Sequence, residues 1–280
     1  MLFNNRVVLK DNTVLSDLSS VLSDLSGDGQ AFSLVAAEDS LYVGSDHPFN
    51  HRFFGVKPGA NNSVTGIVAV DIWSGSAWNP AVDVQDYTKE SGKSFAKSGL
   101  ILWAPDRLKG WGLEATTENI PALSTLKIYN CYWVKLTFGG ALAMTLDYIG
   151  HKFAKDGDFN IYYGDLNRPT MRESFFETPT SNWDKIHCAA AEEVIRDLRA
   201  RKIIWSPNQI LDPDQFTDAA THKAAEIIYS PGNLGNEEKA EAAAKRYKEA
   251  CNKMVFNVDK NGDARLETFE KAGTATLRRC

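Results

Sequence analysis

Asp259, Asn261, Asp263 and Glu270 fall at positions 1, 3, 5 and 12 of one run, the spacing at which oxygen ligands wrap a calcium ion. Position 6, where such a loop turns sharply and calls for glycine, is Ala264, and the glycine stands two places earlier at Gly262. The Asn261-Gly262 pair readily supplies the positive φ of a tight turn, so a β-hairpin is the preferred reading and no metal is expected. His47 and His51 are four apart, a ligand spacing only if their segment is helical, and Pro48 between them argues for a turn. Asp83, Asp86 and Glu90 follow the Trp73 and Trp78 segment and suggest a sugar hydrolase in outline, but acids on loops are usually only solvated. The chain has no glycine-rich phosphate loop, GxSxG elbow or HExxH pair. The reading is therefore a non-enzymatic protein with no cofactor.

The elements that would position these residues change period along the chain. From Leu41 to about Phe153, runs rich in β-branched and aromatic residues alternate with Gly, Asn, Pro and Ser clusters, as in successive strands and turns. Ser74-Gly75-Ser76 between two Trp-bearing runs makes a hairpin loop. In Tyr132–Phe138, alternation puts Trp133, Lys135 and Thr137 on a wet face and Tyr132, Val134, Leu136 and Phe138 on a dry one. After Ser181 the period is helical. Ser181-Asn182-Trp183-Asp184 reads as a capping box before a helix that buries Ala190, Val194, Ile195 and Leu198. Asp212-Pro213-Asp214-Gln215 opens a second helix with the stripe Phe216, Ala220, Ala224, Ile227 and Ile228. A third starts near Asn236 and packs Ala240, Ala243, Ala244, Tyr247 and Cys251. Val255–Asp259 and Ala264–Phe269 flank the terminal hairpin.

The expected fold is therefore α+β with two domains: an antiparallel β-sandwich over residues 1–155, a linker over 156–180, and a helical bundle with terminal hairpin and tail over 181–280. A chain of 280 residues suits two modest domains, and 43% apolar with 24% charged residues excludes a disordered chain. A net charge of −5 gives no general attraction to nucleic acid or anionic membranes. Cys131, Cys188, Cys251 and Cys280 are too scattered for a disulfide framework and suit a reducing cytoplasm. The sequence shows neither a signal-peptide pattern nor a membrane-length apolar run, so a chain neither exported nor embedded is expected.

The run Ala189–Arg199, then Gln209–Pro213, Lys223–Tyr229, Phe256–Asp263 and the Arg-bearing terminus, resembles the helical adaptors of tailed bacteriophages, also called head-completion or head-tail connector proteins. Leu41–Ser45 with Pro48–His51, the Trp73–Trp78 segment and Tyr132–Leu136 are similar to a β-sandwich module of phage structural proteins. The resemblance implies a virion protein of the phage neck, made in the host cytoplasm, with usually twelve copies in a ring between the portal protein and the next neck or tail-terminator protein. Packaged DNA would pass only through its channel. It also implies that Thr274, Ala275, Thr276, Leu277, Arg278, Arg279 and Cys280 contact the portal. The helices from Asp184 to Met254, with Arg196, Arg199, Lys223 and Tyr247, would form the ring interface. The alternative is a carbohydrate-binding or receptor-facing tail or baseplate component, in which exposed sandwich tryptophans stack on sugar.

Overall fold

The computed structural model describes residues 5–36, 38–66, 68–114, 123, 126, 130–176, 180, 182–254 and 257–265. Over these described residues it is α+β, with two antiparallel sheets and six α-helices. The chain sorts into two compact units. One comprises the residues up to Gly150 together with Ser206–Leu211 and Asp259–Arg265; the other contains His151–Trp205 and Asp212–Val258.

The sheet unit has two layers. In the first, β1 (Arg6–Asp11), β2 (Val14–Asp17), β4 (Ser40–Ser45), β6 (Val68–Trp73), β7 (Trp78–Pro80), β10 (Leu113–Glu114) and β11 (Cys131–Phe138) lie in the order β2-β1-β4-β11-β6-β7, with β10 also on β11. The second runs β3-β12-β5-β9-β8, from β3 (Gln30–Leu34), β5 (His51–Val56), β8 (Val82–Asp86), β9 (Gly99–Ala104) and β12 (Leu142–Gly150). Val43, Val70, Val134 and Leu136 from one layer meet Phe54, Ile101, Met144 and Leu146 from the other in one core. Burying such side chains is the main force holding the layers together, at roughly 1.5–3 kcal/mol each. The expected hairpin at Ser74–Ser76 is present, with Trp73 opposite Trp78.

The wet face of β11 holds only in part. Lys135 pairs with Asp71 at 2.9 Å, but Trp133 is fully buried in a second cluster with Val8, Tyr42, Trp73 and Cys131. Its ring lies on Gly44, where an added Cβ would fall 2.6 Å from it, so β4 needs glycine at that point. The first strands also start well before Leu41, at Arg6.

The short α1 (Ser19–Leu22) belongs to the sheet unit; in the helical unit the three long helices are α4 (Asp184–Ala200), α5 (Thr217–Tyr229) and α6 (Glu237–Lys253). The stretch 156–180, expected as a linker, contains α2 (Phe159–Tyr162), two 3-10 turns (Asp156–Asp158 and Gly164–Asn167) and α3 (Pro169–Phe175). Phe159, Tyr163 and Leu166 from it are buried with Trp183, Ile228 and Tyr229. Asp212 accepts from the Asp214 N–H and Asn236 from the Lys239 N–H, so two of the expected helix starts are capped. Ser181 of the third expected cap lies outside the described residues; the Asp184 N–H is taken by Asn182 Oδ1 at 3.1 Å. Ala190, Val194, Ile195 and Leu198 are buried as expected, while Ile227 is only partly so.

Candidate assembly surfaces

Helix α5 packs against both α4 and α6. Around Asp165, three elements are tied at one end: Tyr229 donates to the carboxylate at 2.8 Å, Lys239 reaches it at 2.6 Å, and Trp183 Nε1 donates to the neighbouring Leu166 carbonyl at 2.9 Å. These mark the end of α5 and the starts of α6 and α4. Burial opposes ionisation of Asp165, but the hydrogen bonds from Lys239 and Tyr229 outweigh it and hold the carboxyl below the usual range. Toward the other end of α6, Tyr247 donates to Asp197 of α4 at 2.6 Å. Helices α4 and α6 are thus parallel, with α5 antiparallel between them.

The four residues assigned to a ring interface differ in exposure. Arg196 is the exposed one, its side chain 69% accessible and paired with Glu193 at 2.6 Å. Lys223 pairs with Glu226 and lies over the Tyr247 ring. Tyr247 is buried and fastens α6 to α4, so its side chain is internal to the unit rather than offered to a neighbour. Arg199 donates through Nε and Nη2 to the carbonyl of Trp205 at 3.1 and 3.0 Å. That contact builds a feature the sequence reading missed. Arg199, Lys202, Ile203, Ile204 and Trp205 line an open concavity of about 340 Å³, and Trp205 is 59% exposed. In the run Ile203-Ile204-Trp205, composition points to a buried segment, and only Ile204 is buried.

The other candidate lies in the sheet unit. Asp259 is fully buried and accepts from the Gly262 N–H at 2.6 Å and the Ala264 N–H at 2.9 Å, while His47 Nε2 stands 3.3 Å away. Asn261 accepts from the Asp263 N–H and Asp263 from the Arg265 N–H. Burial raises the Asp259 carboxyl, yet the hydrogen bonds from His47, Ala264 and Gly262 together hold it below the usual range. Ala264 takes φ +57°, the conformation for which a calcium loop uses glycine, so its lack of glycine does not prevent the turn. Residues 259–265 form a series of bends, and Leu266–Phe269, with Glu270, lie outside the described residues. The portal-contact candidates Thr274–Cys280 do as well.

This loop is fixed by long-range polar bonds. Gln209 donates to the Asp259 carbonyl at 2.9 Å and accepts through its own carbonyl from the Asp259 N–H at 2.8 Å. Ser206 donates to Asp46 at 2.9 Å, Asn208 to Ser45, Asn50 to the Leu211 carbonyl at 2.8 Å, and Arg265 to the Pro105 carbonyl. Two segments of the C-terminal half are therefore held by the loops and a strand end of the sheet unit, and the last hundred residues are not a self-contained helical block.

The remaining candidates are structural. His51 is buried against Asn50 Oδ1 at 2.7 Å, and burial, then the neighbouring Arg52 charge, pushes it down to about 3. His47 faces Asp259, so the two histidines do not converge on one point, and among the described residues no three His, Cys, Asp or Glu side chains form a metal-binding group. Asp86 accepts from Thr88 and Ser94 to fasten a loop, and Asp83 and Glu90 are exposed. Trp73, Trp103 and Trp133 are buried and Trp78 and Trp111 partly so, which leaves no flat ring platform on the described sheets. Cys131, Cys188 and Cys251 are buried free thiols, and no helix among the described residues is long and apolar enough to cross a membrane.

Against these geometries, no family model, no characterised protein and no solved structure matches this chain.

Proposed function

We propose that this chain is a structural protein of a tailed-phage particle, a neck adaptor whose copies form a ring between portal and tail. The helical unit serves as the adaptor bundle, and residues 274–280 serve as the portal-contacting tail. The observation that carries the reading is the anchoring at Asp259. The carboxylate, two backbone amides, His47 and Gln209 fix the loop of residues 259–265 within the sheet unit, ahead of the tail in the chain. Identical tails engaging one portal multiply a modest contact into a stable joint.

The mechanism is geometric. A closed ring of head-to-tail contacts leaves no free edge, surrounds the DNA exit and presents a platform to the next tail protein. The test is a pull-down on purified portal rings. Deletion of residues 273–280 is expected to leave the melting transition intact and abolish binding, whereas portal binding equal to that of the full chain contradicts the assignment.

A further inference from the structure

We infer that the concavity of Arg199, Lys202 and Trp205 is a socket for the acidic first turns of α6 from a second copy of this chain. The inference deepens the ring assignment above and rests on it, naming the surfaces through which copies meet. Three observations lead there.

The first is the socket's chemistry. Trp205 stands 59% exposed above a floor that includes the buried Ile204, and its rim carries two cations. Trp and Arg are the residue types that dominate protein contacts, because a large rigid ring and a planar cation bury much area at little entropic cost. The two hydrogen bonds from Arg199 to the Trp205 carbonyl hold that rim in place before any partner arrives.

The second is Lys202. Its N–H bonds to the Arg199 carbonyl, and the Ile203 N–H returns to Leu198, so Lys202 closes α4 at the position usually given to glycine, with φ +60°. A lysine there costs stability that glycine would not, and a charge needed at the socket accounts for it.

The third is a complementary surface at the opposite end of the same helices. Glu237, Glu238 and Glu241 are exposed, and Glu241 lies within a helical turn of both others. Lys239, the cation among them, is turned onto Asp165. Because α4 and α6 are parallel, the socket lies at the carboxyl end of α4 and the acid patch at the amino end of α6. The contact is then heterologous, one copy's patch in the next copy's socket, which is the kind that propagates into a ring. Opposite charge selects this pairing over patch-to-patch or socket-to-socket contacts.

Sedimentation velocity of the full chain over a rising concentration series tests this. The wild type is expected to self-associate. Trp205→Ala with Lys202→Glu should weaken association by at least tenfold, and so should Glu237→Lys, Glu238→Lys and Glu241→Lys together. Each variant alone should stay monomeric, but a mixture should give dimers and nothing larger, since only one intact contact can form. Lys202→Gly should raise Tm while weakening association, a split that a purely structural lysine would not show. A wild type that stays monomeric throughout, association untouched by either set, or an oligonucleotide that occupies the Trp205 socket of a monomeric chain each overturns the socket. The portal pull-down reads the adaptor assignment separately, so the two can fail independently.

Discussion

Glu114 in the sheet unit and Asp165 in the helical unit are both carboxyl groups set against aromatic rings, and they are held in opposite states. Glu114 is buried at the short β10 edge. Trp133 Nε1 donates to its Oε2 at 2.5 Å, and among the described residues its Oε1 has no hydrogen-bond partner. Burial pushes its carboxyl up to about 7, with the Trp133 bond pulling the other way. Asp165 has Tyr229 and Lys239 on its oxygens and stays ionised well below that. A charge can be kept inside a fold where enough donors surround it, and is given up where they do not. The helical unit uses such charge as a fastener at Asp165, whereas around Glu114 the sheet unit relies on packing of Trp133 against Gly44 and keeps its own fastening charge at Asp259.

The largest effect should come from removing the ring that completes the fastener. Trp183→Ala deletes a fully buried side chain and its bond to Leu166, and should cost about 3–5 kcal/mol in chemical denaturation. A loss under about 1 kcal/mol would mean that the hub around Asp165 does not hold the helices.

Next comes the pH dependence, where the two carboxyls should have opposite signs. The folded state holds Glu114 above its ordinary value of 4.5, so its contribution is complete below 4.5 and is lost as pH rises through about 7. Glu114→Gln should remove that decline and leave the acid side unchanged. Asp165 is held low, so its contribution is present above the ordinary value of 3.8 and is lost as pH falls through its depressed range. Asp165→Asn should lower stability near neutrality and have little effect in acid. Thermal melts between acidic and mildly alkaline pH read both, and slopes of the same sign would end the contrast.

The smallest effect should be a gain. Ala264 carries φ +57°, so Ala264→Gly relieves strain and should stabilise by roughly 0.5–1 kcal/mol, partly offset by the freedom glycine adds to the unfolded chain. A destabilised variant would mean that the Ala264 methyl, which is buried, packs more than it strains.

What the sequence reveals follows the range of each interaction. Helix starts at Asp212 and Asn236, the hairpin at Ser74–Ser76 and the buried stripe of α4 depend on residues within one turn or one strand, and all are legible. Phe159, Tyr163 and Leu166 read as connector in the sequence because a helix of four residues is too short to show a period. The bonds from Asn208 to Ser45 and between Gln209 and Asp259 join residues far apart in the chain, and no local pattern announces them. The Trp205 socket was hidden for a different reason, since an apolar run gives no sign of which ring is left in water. At Ala264, a rule about glycine stood in for the dihedral itself.

The most direct test of the neck assignment is electron microscopy of intact phage particles in which this chain carries a gold label at its C-terminus. The account predicts gold at the junction of head and tail, arranged around the axis. Label confined to the tail tip or baseplate, or particles without label, would contradict it.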